Sequence, residues 1–315
     1  MGRPHVEAYP DLESLWKRVR SAVGGHPAAE EIVLGATVEG RPLRAVRMGR
    51  SAAPAVLLVA GIHGNELFGP RLAAAFVADL VSDAGRPLRD DADVWVVPVA
   101  NPDGYARTVR RRGRGPLSAL RTNARGVDLN RNFPLPTGCR RPPWPGAGAD
   151  RIGAATYRGP APLSEPESRA LADLSRRIRP VVAASLHTFM GTLIPAYTPD
   201  RTDHRRYARL CRVFADAQRR HRYVRLAHRV LDGATGEFED FLHHDLGCFA
   251  VCVESYPVWA SLRAVPWPTT PGQRFLPADP TPWIENDCPA LLALFRAGLE
   301  LARAGLRPHA LGTQA

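Results

Sequence analysis

Ala55-Val56-Leu57-Leu58-Val59-Ala60-Gly61-Ile62-His63-Gly64-Asn65-Glu66 is the stretch whose reading decides the fold. Its aliphatic run, bounded by Pro54 and Gly61, has no polar alternation. That is the pattern of a strand buried on both faces, as in a largely parallel sheet. The strand stops in a glycine-flexed turn carrying His63 and Glu66, which places both at a carboxyl end, the rim where open α/β sheets bind ligands. With two residues between them, the imidazole and the carboxylate face one ion if the chain turns there. Mixed nitrogen and oxygen ligation suits Zn²⁺, whose catalytic sites take three protein ligands and keep a position for water. H-x-x-E alone is short and more often marks a turn histidine and a helix-opening glutamate, so the rest of the chain decides.

Upstream, Leu12–Val23 has helical apolar spacing and stops at Gly24-Gly25, and Ile32–Arg47 reads as a hairpin around Glu39-Gly40 with Leu43–Val46 as its second arm. Downstream, Gly69–Val81 is an apolar helix and Asp93–Val99 a strand running into a strong turn, Asn101-Pro102-Asp103-Gly104-Tyr105. Residues 106–163 are loop-rich, and 134–163 form a Pro/Gly-rich loop of the length that is usually functional. Ser164 and Glu167 read as a capping box opening a helix to about Ile178. Pro180–Leu186 and Phe249–Val253 are two more buried strands, delivering His187 and Glu254 at their ends. Between them lie an amphipathic helix, Arg201–His221, and a loop with a short helix, Ala234–Leu246, that carries Glu239 and Asp240. A helix over Asp287–Ala304 closes the chain. The expectation is an α/β fold with a mixed, largely parallel central sheet flanked by helices. It reads as a single catalytic domain over 1–315, with 1–30 as an N-terminal helical extension and 134–163 as a loop inside it.

Three strand ends therefore each present His or Glu: His63/Glu66, His187 and Glu254. Because His187 comes 121 residues after Glu66, the spacing excludes a local zinc knuckle and suits a site assembled by the fold. The remaining polar candidates read as bland: His243-His244 as an exposed pair near a helix end, Cys248 and Cys252 as core cysteines.

Composition narrows the function classes. The net charge of +11 comes from 42 Lys+Arg, of which only Lys17 is lysine, and such an arginine excess beside 30 prolines reads as coding bias. Apart from Arg110–Arg112 and Arg114 the arginines are dispersed, and no nucleic-acid motif accompanies them, so no specific nucleic-acid partner is expected. The basic surface favours anionic substrates. The N-terminal residues lack an apolar core of signal length, no window reaches a membrane span, and Val6 breaks the myristoylation pattern. Five scattered cysteines suit a reducing compartment, so the expected location is cytoplasmic, with no membrane partner.

From about Glu39 to Tyr256 the chain resembles the zinc carboxypeptidase family, typified by the pancreatic carboxypeptidases. The resemblance rests on His63-Gly64-Asn65-Glu66, on Asn101-Pro102-Asp103-Gly104-Tyr105, and on Arg121 nine residues before Asn130. Val127-Asp128-Leu129-Asn130-Arg131-Asn132-Phe133, Ser164-Glu165-Pro166-Glu167, Ser185-Leu186-His187 and Glu254 carry it further. It implies one zinc held by His63, Glu66 and His187, with Glu254 as general base and Arg121 stabilising the oxyanion. Asn130 and Arg131 would grip a substrate carboxylate, Arg131 through its planar fork. Glu239, counted back from Glu254, falls where pancreatic members set side-chain preference, and an acid there implies a cationic side chain beside the cleaved bond. Small cytoplasmic bacterial members include murein peptide amidases, so the implied substrate is a peptide or peptidoglycan fragment with a free carboxylate. Two alternatives stand beside this: an N-acyl amino acid amidohydrolase of the aspartoacylase and succinylglutamate desuccinylase type, and a non-catalytic carboxylate-binding module. The first shares His-Gly-Asn-Glu but not the Asn-Arg-Asn-Phe-Pro run; against the second, every ligand and Glu254 is present. The chain departs from the family at Phe189, where pancreatic members have tyrosine. It departs again near Asp232, where the family's mobile-loop tyrosine would fall, since no tyrosine lies between Tyr223 and Tyr256.

Overall fold

The structure, a computed structural model, describes residues 5–226 and 233–310. Among these, eight strands form one sheet: β1 (Ala29–Ala36), β2 (Pro42–Gly49), β3 (Ala55–Ala60), β4 (Asp93–Val97), β5 (Val182–Thr188), β6 (Thr192–Pro195), β7 (Val224–Arg225) and β8 (Phe249–Ser255). Their spatial order is β1-β2-β4-β3-β5-β8-β6-β7. The central strands β4, β3, β5 and β8 are mutually parallel, and β2 and β6 flank them antiparallel. Every residue of β3, β4 and β5 is buried, as the unbroken apolar run of β3 and the largely apolar runs of the other two imply.

The helices are α1 (Leu12–Val23), α2 (Phe68–Val81), α3 (Arg86–Asp91), α4 (Pro102–Arg110), α5 (Leu117–Arg121), α6 (Pro166–Ile178), α7 (Arg201–Ala217), α8 (Phe238–Leu246), α9 (Val258–Ala264) and α10 (Thr281–Arg303). Burial falls into two layers. Even-numbered residues of β3 pack with α1, α2, α7 and α10, and odd-numbered ones with α6 and α8. The N-terminal helix belongs to the first layer through Leu15, Trp16 and Val19. No helix among the described residues is long and apolar enough to cross a membrane.

The parallel register puts His187 opposite Glu254 at the carboxyl ends of β5 and β8, while Ala60, the last residue of β3, pairs with Leu186. The turn after β3 is then locked: Asn101 N–H donates to the Gly61 carbonyl at 2.9 Å and Gly64 N–H to the Arg121 carbonyl at 2.9 Å. A Cβ on Gly64 would lie 2.5 Å from Gly104 Cα and 2.6 Å from the Leu120 carbonyl oxygen, so only glycine allows this approach.

Several local expectations change. Asn101 caps α4, accepting from Gly104 N–H at 2.9 Å, so the Asn-Pro-Asp-Gly-Tyr segment opens a helix where a turn was expected. Glu165, not Ser164, is the N-cap of α6, and no side chain caps it. Glu167 is instead drawn inward, accepting from Val38 N–H at 3.2 Å and Asn123 Nδ2 at 3.2 Å. The His243-His244 pair is buried, His243 meeting Tyr207 Oη at 2.8 Å and His244 the Tyr197 carbonyl at 2.8 Å. The strands β6 and β7 and the helices α3, α5 and α9 are too short to announce themselves by periodicity.

Candidate metal centre and active site

His63 Nδ1 lies 2.9 Å from Glu66 Oε1, and His187 Nδ1 lies 3.1 Å from both His63 Nδ1 and Glu66 Oε2. All three side chains are at most 3% exposed. These two imidazole nitrogens and one carboxylate form a group able to hold a metal ion. The electrostatics of the set call for a cation. Burial alone would pull the His187 imidazole down, but Glu66 and Glu254 push it up to about 9. Burial would likewise raise Glu66, yet the two imidazoles hold its carboxyl well below the usual range. Two nitrogens and a carboxylate are the zinc-type donor set, so these residues fit the ion that the sequence implies.

Asp128 is the residue that sequence reasoning left without a role. It is fully buried, its Oδ1 lies 3.1 Å from His63 Nε2, and its Oδ2 accepts from Arg121 Nε at 2.9 Å. A carboxylate on Nε2 keeps the proton there and leaves Nδ1 lone-paired, which is how metal-ligating histidines are oriented. Burial is again overridden: Arg121 and His63 hold the Asp128 carboxyl below the usual carboxylate range. The only sequence signal was its place at the head of the Asp128–Phe133 run.

Arg121 is thereby aimed at the centre, its Nη1 3.7 Å from Glu66 Oε1. Glu254 stands beside His187 on the next strand, with Oε2 buried and unpartnered, and burial together with Glu66 pushes its carboxyl up to about 7. His187 Nε2 is also buried without a partner. One layer below, Glu239 on α8 is 2% exposed; its Oε1 accepts from the Ser185 hydroxyl and its Oε2 has no partner. Cys252 shares this face, close to His187 and Glu254, and all five cysteines are unpaired.

Asn130 and Arg131 sit on the short 3₁₀ turn Leu129–Arg131. The Asn130 Oδ1 accepts from Phe238 N–H at 2.9 Å, which turns its Nδ2 donor away from α8. Arg131 donates from Nε to the Gly146 carbonyl at 2.9 Å and from Nη1 to the Asn130 carbonyl at 2.7 Å, and pairs with Glu237 at 3.0 Å. Asn132, also without a role in the sequence reading, donates to the carbonyls of Arg158 and Ala161 at 2.8 and 2.9 Å and so fixes the 158–164 segment. The position near Asp232 lies outside the described residues.

A mixed sheet whose parallel strand ends bring together two histidines, a glutamate able to share a metal ion with them, and a second buried glutamate beside them has the donor set of a metal centre. The model of the zinc carboxypeptidase family matches residues 19–257, and the chain belongs to that family. It is similar to carboxypeptidase B of Rattus norvegicus, with 31% identity over 183 residues, covering 53% of this chain and 42% of the relative. It is also similar to carboxypeptidase B2 of Bos taurus, with 30% identity over 267 residues, covering 77% of this chain and 61% of the relative. The chain thus spans about half the length of the curated relatives it matches. The crystal structure of thrombin activatable fibrinolysis inhibitor shares the fold, with a TM-score of 0.76 at 23% identity over 93% of this chain and 75% of that one.

Proposed function

We propose that the chain is a zinc-dependent metallocarboxypeptidase that hydrolyses an amide bond next to a free substrate carboxylate. The observation that carries this reading is the convergence of His63 Nδ1, His187 Nδ1 and the Glu66 carboxylate at the strand ends, with Glu254 unpartnered beside them. One zinc held there supplies Lewis-acid polarisation and lowers the pKa of a nearby water.

Glu254 takes a proton from the attacking water and passes it to the leaving amine. Its burial and its neighbouring acid favour that exchange by keeping its proton affinity near neutrality. Arg121, held in place by Asp128, neutralises the oxyanion that develops on the scissile carbonyl. The terminal carboxylate of the substrate is gripped by Asn130 Nδ2 and by Arg131, which exchanges Glu237 for it. Glu239 lies on the face shared by Ser185 and Cys252 and selects a cationic side chain, because a buried carboxylate needs a partner.

The test is Glu254→Gln with zinc content and product mass followed together. Zinc stays bound while turnover falls by ~10²–10⁴, the usual range for acid–base catalysis; His187→Ala loses both. Wild-type turnover in Glu254→Gln, or full activity after metal removal, overturns the assignment.

A further inference from the structure

The run that carries Arg131 also builds a cavity of about 360 Å³ beside it. Arg131, Phe133, Arg141, Arg158, Thr235 and Gly236 line it. Its walls are constructed: Asn132 holds the carbonyls of Arg158 and Ala161, and Phe133 N–H donates to the Gly236 carbonyl at 3.1 Å. A Cβ on Gly236 would lie 2.8 Å from the Phe133 carbonyl oxygen, so the wall closes only on glycine.

Three guanidiniums meet here, with side chains 12%, 23% and 41% exposed for Arg131, Arg141 and Arg158. Among the described residues two carboxylates pair with them. Glu237 takes Arg131, and Asp150, itself 64% exposed, bridges Arg141 at 3.0 Å and Arg158. Among the described residues one positive charge is left over. The Thr235 hydroxyl, on a residue 8% exposed that lines the cavity, is buried without a partner. Guanidinium forks, a spare hydroxyl and an apolar wall at Phe133 and Leu135 are the complement of a carboxylate on a short aliphatic arm.

We propose that this cavity is a second anion subsite, taking a substrate carboxylate other than the terminal one assigned to Arg131. The proposal rests on the carboxypeptidase reading and deepens it, naming as substrates peptides that carry an additional acid close to their free terminus. Asp150 is the internal stand-in: it shows that the Arg141–Arg158 pair accepts a carboxylate, and its exposure lets a substrate displace it. Glu239 is not part of this wall, so an amine and a second acid are read at separate places. The 134–163 loop, which supplies Arg141, Asp150 and Arg158, thereby acquires a function.

The test is calorimetric binding of N-acetylglutamate against N-acetylglutamine, ligands that differ only in the second charge. The wild-type protein binds the glutamate form about tenfold tighter or more, the scale of one charge-assisted hydrogen bond. Arg141→Ala/Arg158→Ala removes that preference. Asp150→Asn, which frees the pair, strengthens it several-fold. Arg151→Ala, a cation outside the cavity, leaves it unchanged. No preference in the wild type, its survival in the double variant, or an equal loss in Arg151→Ala overturns the subsite. Binding is read without turnover. A protein that hydrolyses peptides but shows no preference therefore refutes the subsite alone, and one that shows the preference without hydrolysis refutes only the catalytic reading.

Discussion

Asp128→Asn is the sharpest probe of how this site is held. The carboxylate serves His63 Nε2 at 3.1 Å and Arg121 Nε at 2.9 Å from its two oxygens, and Oδ1 also accepts from Asn130 N–H at 3.0 Å. An amide keeps one acceptor. If its oxygen stays on Arg121, its NH₂ faces His63 Nε2 and forces the proton onto Nδ1, the atom that meets Glu66 and His187. If its oxygen stays on His63, the NH₂ confronts the Arg121 cation and leaves it uncompensated. One charge-assisted hydrogen bond is lost either way, about 1.5–3 kcal/mol, or roughly 10- to 150-fold in an equilibrium constant. Zinc affinity measured by competition with a fluorescent chelator should therefore weaken by ~10–100-fold, in line with other partners of metal-bound histidines. Far-UV circular dichroism should stay unchanged. A folded variant that binds zinc within twofold of wild type would refute the claim that Asp128 sets the His63 tautomer.

Other outcomes follow from the same geometry. Arg131→Ala should cost about 2–5 kcal/mol on free-acid peptides and far less on their C-terminal amides, measured as paired kcat/KM values; equal losses would leave Arg131 a structural role only. Glu239→Gln should shrink selectivity for a terminal Lys over a terminal Leu by about tenfold (one lost charge-assisted contact), and unchanged selectivity would remove Glu239 from the pocket. Asp287, fully buried, accepts from Gln218, Asn286, Tyr223 and Ser255, and burial pushes its carboxyl up to about 6. A raised carboxylate contributes stability that is complete below its unfolded value of about 3.9 and lost as pH rises through the folded one, ~3 kcal/mol in all. Denaturant titrations of wild type and Asp287→Asn should therefore differ by a gap that changes between pH 4 and pH 6; a pH-independent gap refutes the raised value.

What the sequence showed and what it hid divide along physical lines. Buried parallel strands have no polar alternation to confuse them, so β3, β5 and β8 and the residues at their ends were legible. The helices over Leu12–Val23 and Phe68–Val81 were legible through periodicity and, for the first, through the left-handed Gly24 stop. Caps were not, because a cap is a contest between local and distant partners. Glu167 could bond back to its own helix start, yet Val38 and Asn123 supply donors from elsewhere and win it. The histidine pair of α8 failed for a related reason: exposure was inferred from polarity, but neutral imidazoles with Tyr207 and Tyr197 as partners are content inside, and burial pulls His243 down to about 3. The role of Asp128 was hidden because an orienting carboxylate and a helix-capping one look alike in a sequence; only its distance to His63 tells them apart.

The Asp128–Phe133 run shows why a short motif can identify a family so sharply. Asp128 orients His63 and Arg121, Leu129 fills the core beneath β3, and Asn130 fixes the start of α8. Arg131 faces Glu237 and the arginine cavity, Asn132 holds the 158–164 segment, and Phe133 stacks on Phe241. Six consecutive side chains thus have six different partners, and a 3₁₀ turn with a kink at Asn130 fans them apart. A one-residue shift would misplace all of them at once. The same turn that holds His63 through Asp128 also lines the arginine cavity through Arg131 and Phe133. The orientation of His63 and the shape of that cavity are therefore linked through one short piece of chain, so a substitution that shifts this turn should be felt at both.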